Sequence, residues 1–387
     1  MTSQAIRREP TIVDVAIAIG ADVVAPAAGA VDVEARFPRE AFDALAQEGL
    51  LSALVPRHLG GRGSSISEVA LVTEELARHC SSTAMVFAMH QIQAACLVRH
   101  GRTPALLNLT RDLVERQLLL ASATTELGIG GDVRTSTCAV ERDGPQFRLT
   151  KNAPVISYGS HADAIFTTAR RDADSQPNDQ VLVVCPKESV TLEPTSLWDT
   201  LGFRGTCSPG FLLSATGDAD LIFEDPYGEM SAHTMLPVSH ILWSSVWLGM
   251  ASAAVDKARR FVRSAARSRP GTTPPGALRL AELMCAFQQF EQSVHGAARQ
   301  YDEIRDNADA LDGMNFAVTM NTLKVGSSMT VVDIVGRAML IVGISGYRED
   351  SEYSLGRLLR DAHGAALMVN NDRILANTAQ LLLVAKD

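Results

Sequence analysis

The run LLLASATTELGIGGD, residues 118–132, marks the place where the chain changes character. Its first half is a short apolar stretch of strand length ending in Thr124-Thr125. Its second half is a glycine-rich turn, so hydroxyls and backbone N–H groups crowd the end of a predicted strand. Upstream, from about residue 10 to 115, the pattern is helical. In FPREAFDALAQEGLLSALVP, Phe42, Leu45, Leu50 and Leu51 fall near helical spacing, predicting a helix closed by Pro56. Ser65, with Glu68 three residues on, forms a capping-box pattern ahead of Leu71, Val72 and Leu76. CSSTAMVFAMHQIQAACLVRHG is nearly uncharged, the mark of a helix buried on most sides. Downstream, FRLTKNAPVISYG, AIFTTARR, QVLVVCP and ADLIF recur between turn residues at roughly ten-residue spacing. That rhythm suits an antiparallel barrel or sandwich better than βαβ units. From about residue 234 four long helical segments return, beginning ILWSSVW, ALRLAEL, NFAVTMN and LLRDAHG, and read as an antiparallel bundle. The expected fold is therefore α+β and mainly α: a helical region at 1–115, a middle β region at 116–228 and a four-helix bundle at 229–387.

Composition narrows the function classes. The 387 residues carry 35 Lys+Arg against 44 Asp+Glu, and a net charge of -9 argues against nucleic-acid binding. No uncharged apolar run of about 18 residues is present, which argues against a membrane span. The first residues mix acids into their apolar positions, unlike a signal peptide, so a cytoplasmic location is expected. The six cysteines form no C-x-x-C pair and lie at no zinc-ligand spacing from a histidine, so no metal site is expected.

Five ordered motifs make the chain resemble the acyl-CoA dehydrogenase superfamily of flavoproteins over nearly its whole length. FPREAFDALAQEGLLSALVPRHLGGRG looks like that family's first helices and G-G-x-G loop. Thr125-Glu126-Leu127-Gly128-Ile129-Gly130-Gly131-Asp132 is similar to its T-E-P-G-A-G-S-D signature at the flavin. NAPVISYGSHAD stands in the place of its W-I-T-N-G strand, LGFRGT resembles L-G-x-R-x-T, and RLLRDAHGA resembles R-x-x-R-D-A. The resemblance implies FAD, with Thr124, Thr125, Gly130 and Gly131 at the ring and Ile156 and Ser157 on the neighbouring strand. An isoalloxazine needs hydrogen-bond donors along its polar edge, and such donors tune its reduction. Gly343 and Gly346 resemble the family's G-G-x-G segment at the pyrophosphate, and Arg267 keeps one arginine of R-x-x-F-G. Leu340 replaces the family's glutamine, and Pro270 its phenylalanine. Because an adjacent subunit partly supplies those contacts in the family, a homotetramer or homodimer is implied.

The departures at the reacting end shape the chemistry. Acyl-CoA dehydrogenation needs a carboxylate to take an α-proton while hydride leaves for the flavin. Val369 stands where the family's Y-E-G-T glutamate is expected, and Ser239, beside His240, stands at the alternative position on the first bundle helix. Another branch of the superfamily needs no such base: two-component monooxygenases take reduced flavin from a separate reductase and form a C4a-hydroperoxide with oxygen. His90, on an apolar helix, is either a proton donor for that chemistry or a core histidine satisfied by a backbone carbonyl; His240 and His363 are further candidates. Trp243 and Trp247, four apart on one helix, suggest an aromatic wall, and with Phe87, Met89, Met368 and Val369 an apolar pocket. The leading expectation is a reduced-flavin monooxygenase hydroxylating an apolar small molecule with oxygen and a partner reductase. The alternatives are an acyl-CoA or carrier-bound acyl dehydrogenase with a non-standard base, and a catalytically silent relative.

Overall fold

The computed structural model describes residues 10–129 and 132–384. Helices α1 (Ile12–Ile19), α2 (Ala25–Val33), α3 (Arg39–Gln47), α4 (Ile66–His79), α5 (Ser81–His100) and α6 (Pro104–Arg116) come first. A single-turn π segment, Gly20–Val24, joins α1 to α2. The capping box at Ser65 forms as the sequence indicates: the Ser65 hydroxyl accepts from Glu68 N–H and the Glu68 carboxylate from Ser65 N–H. Helix α3 is shorter than its apolar spacing suggests. It ends at Gln47 because Gly49 turns left-handed at φ +68°, and Leu50 and Leu51 are buried in the following turn instead.

Seven strands follow in two sheets. One has the order β1 (Leu120–Ala123), β4 (Ala164–Arg170), β5 (Gln180–Pro186); the other runs β2 (Glu141–Asp143), β3 (Gln146–Ala153), β7 (Phe211–Asp218), β6 (Val190–Pro194). The expectation of purely antiparallel pairing is corrected at one point. Strands β1 and β4 pair in parallel, Leu120 opposite Ala164, because the 40-residue excursion between them supplies a crossover instead of a hairpin. Strands β4 and β5 are buried along almost their whole length, whereas β3 alternates, turning Phe147, Leu149, Lys151 and Ala153 inward. A lysine at an inward position calls for a buried partner.

The helices that follow are α7 (Tyr227–Met230), α8 (Leu236–Ser268), α9 (Ala277–Ile304), α10 (Ala308–Leu311), α11 (Met314–Val342), α12 (Ile344–Tyr347), α13 (Gly356–Gly364) and α14 (Asn371–Val384). Helix α8 is the hub, packing against α4, α5, α9 and α11. Its apolarity follows from that position. Tyr227–Ser268 is long and apolar enough to cross a membrane, as are Ile12–Val33 and Met314–Val342, but 89% of its apolar window is buried by the rest of the chain. The fourth long helix expected from the sequence is broken into α13 and α14. At the break Val369 adopts φ +50°, and the buried Lys324 on α11 donates to Val369 O at 2.7 Å and Asn371 Oδ1 at 2.8 Å. A β-branched residue in the left-handed region is strained, and those bonds hold it there.

Candidate active site

A cavity of about 600 Å³ opens where β1, the β3–β4 and β6–β7 connections, α5, the start of α8 and the α13–α14 break meet. Its strand side carries Ser122, Thr124, Thr125, Val155, Ser157, Thr206 and Ser208. The Thr125 hydroxyl donates to Val155 O at 3.1 Å, which leaves it only lone pairs to offer a ligand. Ser157 is the reverse case. The Ser208 hydroxyl donates to Ser157 Oγ at 2.9 Å and the Thr206 hydroxyl to Phe203 O at 2.8 Å. Ser157 therefore keeps its own proton free to donate into the cavity.

Beneath this wall Glu126 anchors the glycine-rich turn. It accepts from the Ser136 hydroxyl at 2.6 Å and Cys138 N–H at 2.8 Å, and lies 3.3 Å from the Lys151 ammonium with both side chains almost fully buried. Burial opposes its charge, but the hydroxyls of Ser136 and Thr137, Lys151 and the Cys138 N–H outweigh it and hold the carboxyl below its ordinary range. Glu126 is thus the partner that inward-facing Lys151 requires, a pairing legible only once β3 has a register. Gly130 and Gly131 lie outside the described residues.

A second anchor joins the turn LGFRGT to α13. The backbone of α13 passes so close that a Cβ on Gly202 would lie 2.6 Å from Arg360 C, which makes glycine obligatory there. The buried Asp361 accepts from Phe203 N–H at 2.6 Å, and burial raises its carboxyl to about 6. Trp198, another lining residue, donates its indole N–H to Phe203 O at 3.1 Å.

The helical side is mostly apolar. Met85, Met89, Ile92 and Gln93 form one stripe of α5; Leu236, Ser239, His240 and Trp243 line from α8, and Leu367, Met368 and Val369 from the break. None of the described lining residues is Asp or Glu. His240 is buried; its Nδ1–H donates to Met320 O at 2.9 Å, and burial lowers the ring to about 4, so it is neutral with Nε2 as an acceptor. The Ser239 hydroxyl donates back to Met235 O one turn earlier. His363 lies at the exposed rim, and Arg360 beside it is engaged by Asp32 and Glu349.

Several candidate residues fall elsewhere. His90 does not line the cavity. Its Nδ1 accepts from Leu120 N–H at 3.0 Å and its Nε2–H donates to Leu51 O at 2.7 Å, while burial lowers it to about 4. It fastens α5 to β1 and the turn after α3, and neither nitrogen is left for a substrate. Phe87, two residues from Met85, is turned roughly 200° around the helix and is fully buried on the far face. Trp247 lies one turn beyond Trp243, past the end of the cavity, fully buried with the Lys324 ammonium 5.8 Å from its ring centroid. Ile156 is buried as well, and its N–H donates to Pro209 O at 3.0 Å. Arg267 is exposed in the last turn of α8, roughly 40 Å along the helix from Ser239 at 1.5 Å per residue. Gly343 follows α11 at that same end: Gly276, just ahead of α9, lies between Val262 of α8 and Ile341 of α11. Gly346 is buried in α12, with Met339 and Leu355 close about it. None of these three lines the cavity of its own chain. Conversely, the sequence pattern singled out neither Gln93 nor Ser208. Gln93 continues the Met85–Met89 stripe at the next helical turn, which was the signal available for it.

Comparison with known proteins places the fold. Residues 8–105 match the acyl-CoA dehydrogenase N-terminal domain and residues 228–378 the acyl-CoA dehydrogenase C-terminal domain. The chain is 25% identical over 358 residues to cyclohex-1-ene-1-carbonyl-CoA dehydrogenase of Geobacter metallireducens, covering 91% of each protein. It is 25% identical over 327 residues to dibenzothiophene monooxygenase of Mycolicibacterium goodii, covering 78% of this chain and 77% of that one. FMN-bound TdsC of Paenibacillus sp. A11-2, a dibenzothiophene monooxygenase, superposes with a TM-score of 0.83 over 96% of both chains at 19% identity. With both domains matched and the helix–sheet–bundle order preserved, this chain belongs to the acyl-CoA dehydrogenase superfamily of flavoprotein oxidoreductases.

Proposed function

We propose that this protein is a reduced-flavin monooxygenase that hydroxylates an apolar small molecule. The observation that carries the reading is a cavity lined by methionine, leucine and tryptophan side chains with no carboxylate among its described residues. Val369 and Ser239 line it at the two places where the family resemblance sets a glutamate. Loss of a general base costs roughly 10²–10⁴-fold in rate, so α-proton abstraction is poorly served.

The strand side suits a flavin ring: Ser157 has a proton to donate, Thr125 offers lone pairs, and Trp198 and Val155 add apolar surface. When bound, FAD supplies two electrons and the capacity to activate oxygen, the protein contributing orientation and electrostatics. The chain's own part is to hold the ring through Thr125 and Ser157, keep water out with its apolar lining, and seat the substrate against α5 and α8. Balance requires a reductase to deliver the reduced flavin; one oxygen atom enters the substrate and the other leaves as water. His240, neutral with an open Nε2, accepts a hydrogen bond and does not act as the proton donor expected from the sequence. Arg267, Gly343 and Gly346, at the far end of the bundle, are assigned to the cofactor of a neighbouring subunit, in keeping with a homo-oligomer.

The test is isotopic. Holoprotein reduced anaerobically, mixed with indole and ¹⁸O₂, is expected to yield a product carrying one labelled atom; hydrogen peroxide with no labelled product from any apolar aromatic probe contradicts the reading. A second reading is favoured by one observation, the unpartnered Nε2 of His240: a dehydrogenase using that nitrogen as its base.

A further inference from the structure

Two costly features meet at a single peptide carbonyl behind the cavity wall. Lys324 of α11 is fully buried, and among the described residues no carboxylate pairs with it; burial lowers its ammonium to about 8. A buried cation without a counter-charge is expensive. The carbonyl it bonds belongs to Val369, a β-branched residue at φ +50°, a conformation that glycine takes freely and valine does not. Strain of this kind persists only where the surroundings over-determine it, and it gathers at functional sites. The surroundings are specific here. Lys324 donates to Val369 O and to Asn371 Oδ1, and Asn371 Nδ2 donates in turn to Ser328 Oγ at 3.0 Å, one turn further along α11. The residues on either side of Asn370 are thus pinned from behind by one helix.

We propose that Lys324 is a positioning residue for the substrate: by holding Val369 in the left-handed conformation it fixes the cavity wall at the α13–α14 break, and so selects among planar apolar molecules by size. The inference rests on the proposed reading that this cavity takes an apolar substrate, and it names what limits that substrate. Lys324 does not line the cavity whereas Val369 does, so the lysine reaches a ligand only through the residue it holds. The neighbouring lining differs in kind. Met85, Met89 and Met368 are unbranched and adapt to what they touch, whereas the single torsion of valine is stiff. A ring system extending towards the break therefore meets a fixed stop at Val369 and yielding surface along the methionines.

The experiment is a double-mutant cycle on the oxidised holoprotein, read by equilibrium dialysis with indole and carbazole, planar probes of two and three fused rings. Lys324→Met is expected to raise the carbazole-to-indole affinity ratio about fivefold, the scale of one buried methylene, because Val369 relaxes out of its stop. In a Val369→Gly background the same substitution is expected to leave the ratio within about twofold, since glycine takes φ +50° unaided. Thermal melting gives a second readout: Lys324→Met should cost more in the valine background than in the glycine one. Should Lys324→Met alone not fold, recovery of folding in the double variant supports the proposal, and failure of the double variant as well overturns it. A ratio that stays put in both backgrounds, or shifts equally in both, shows that Lys324 does not act through Val369 and overturns the proposal while leaving an apolar-substrate enzyme standing. If neither probe binds the unaltered holoprotein and an acyl-CoA thioester does, the monooxygenase reading itself falls, and this inference with it.

Discussion

On the strand side of the cavity Thr125, Ser157, Thr206 and Ser208 are tied to one another or to backbone carbonyls inside the protein; on the helical side Gln93 Oε1 and Trp243 Nε1 have no partner. Glu126, Lys151, Ser208 and Asp361 fix the first wall through buried hydrogen bonds before any ligand arrives. Such preorganisation fits a cofactor whose polar edge does not vary. The second wall is a stripe of flexible methionines broken by a few unsatisfied atoms, suited to discriminating among substrates. Under the proposed function, the difference separates a wall that would hold the ring from a wall that would meet the substrate.

The strongest challenge to the first wall is Glu126→Gln. It leaves the Lys151 ammonium buried without its counter-charge, and a loss of about 3–5 kcal/mol is expected in chemical denaturation, together with loss of co-purifying flavin. A variant retaining wild-type stability would show that the turn is held by something else. Next comes His90→Leu, which strands the Leu120 N–H and the Leu51 carbonyl. About 2–4 kcal/mol should be lost in the same assay, while turnover per folded, flavin-loaded molecule stays unchanged. A collapse of turnover at full stability would restore His90 to the chemistry.

Ser157→Ala probes the free proton of the strand wall. The flavin Kd should rise about tenfold, measured by fluorescence titration, with melting temperature little altered. No change in flavin affinity would remove Ser157 from the ring site. The smallest effect concerns Asp361, whose carboxyl is raised to about 6 in the folded protein by burial. A raised folded-state value means the native form holds its proton more tightly than the unfolded chain does. Its contribution to stability is complete below the unfolded carboxyl range, declines as pH rises, and is gone above about 6. Stability measured between pH 4 and 7 should therefore slope less steeply in Asp361→Asn than in the unaltered protein; identical slopes would place the ionisation elsewhere.

Much of the architecture was legible in the residues. The capping box at Ser65, the change to strands after Gln117 and the long bundle helices all follow from local pattern. What failed to show were features set by distant partners. The parallel β1–β4 pairing depends on where a crossover lands, and the break at Val369 depends on a lysine 45 residues earlier in the chain. The same limit governed the site. Thr125, Ser157, Ser239, His240, Trp243, Met368 and Val369 do converge on one cavity, because motif order carries over to the fold. Phe87, His90 and Trp247 sit on helices that reach the cavity but on turns or faces that miss it, a distinction of rotation that composition does not carry. Gln93 escaped notice because a single glutamine in an apolar helix looks unexceptional until its carbonyl is seen to lack a partner.

The central claim is that this cavity, with no carboxylate among its described lining residues, does not take an α-proton from an acyl thioester. Oxidised holoprotein mixed anaerobically with short, branched and aromatic acyl-CoA thioesters measures it directly through the visible absorbance of the flavin. The account predicts an unchanged flavin spectrum with every thioester, and stoichiometric bleaching by any one of them would contradict it.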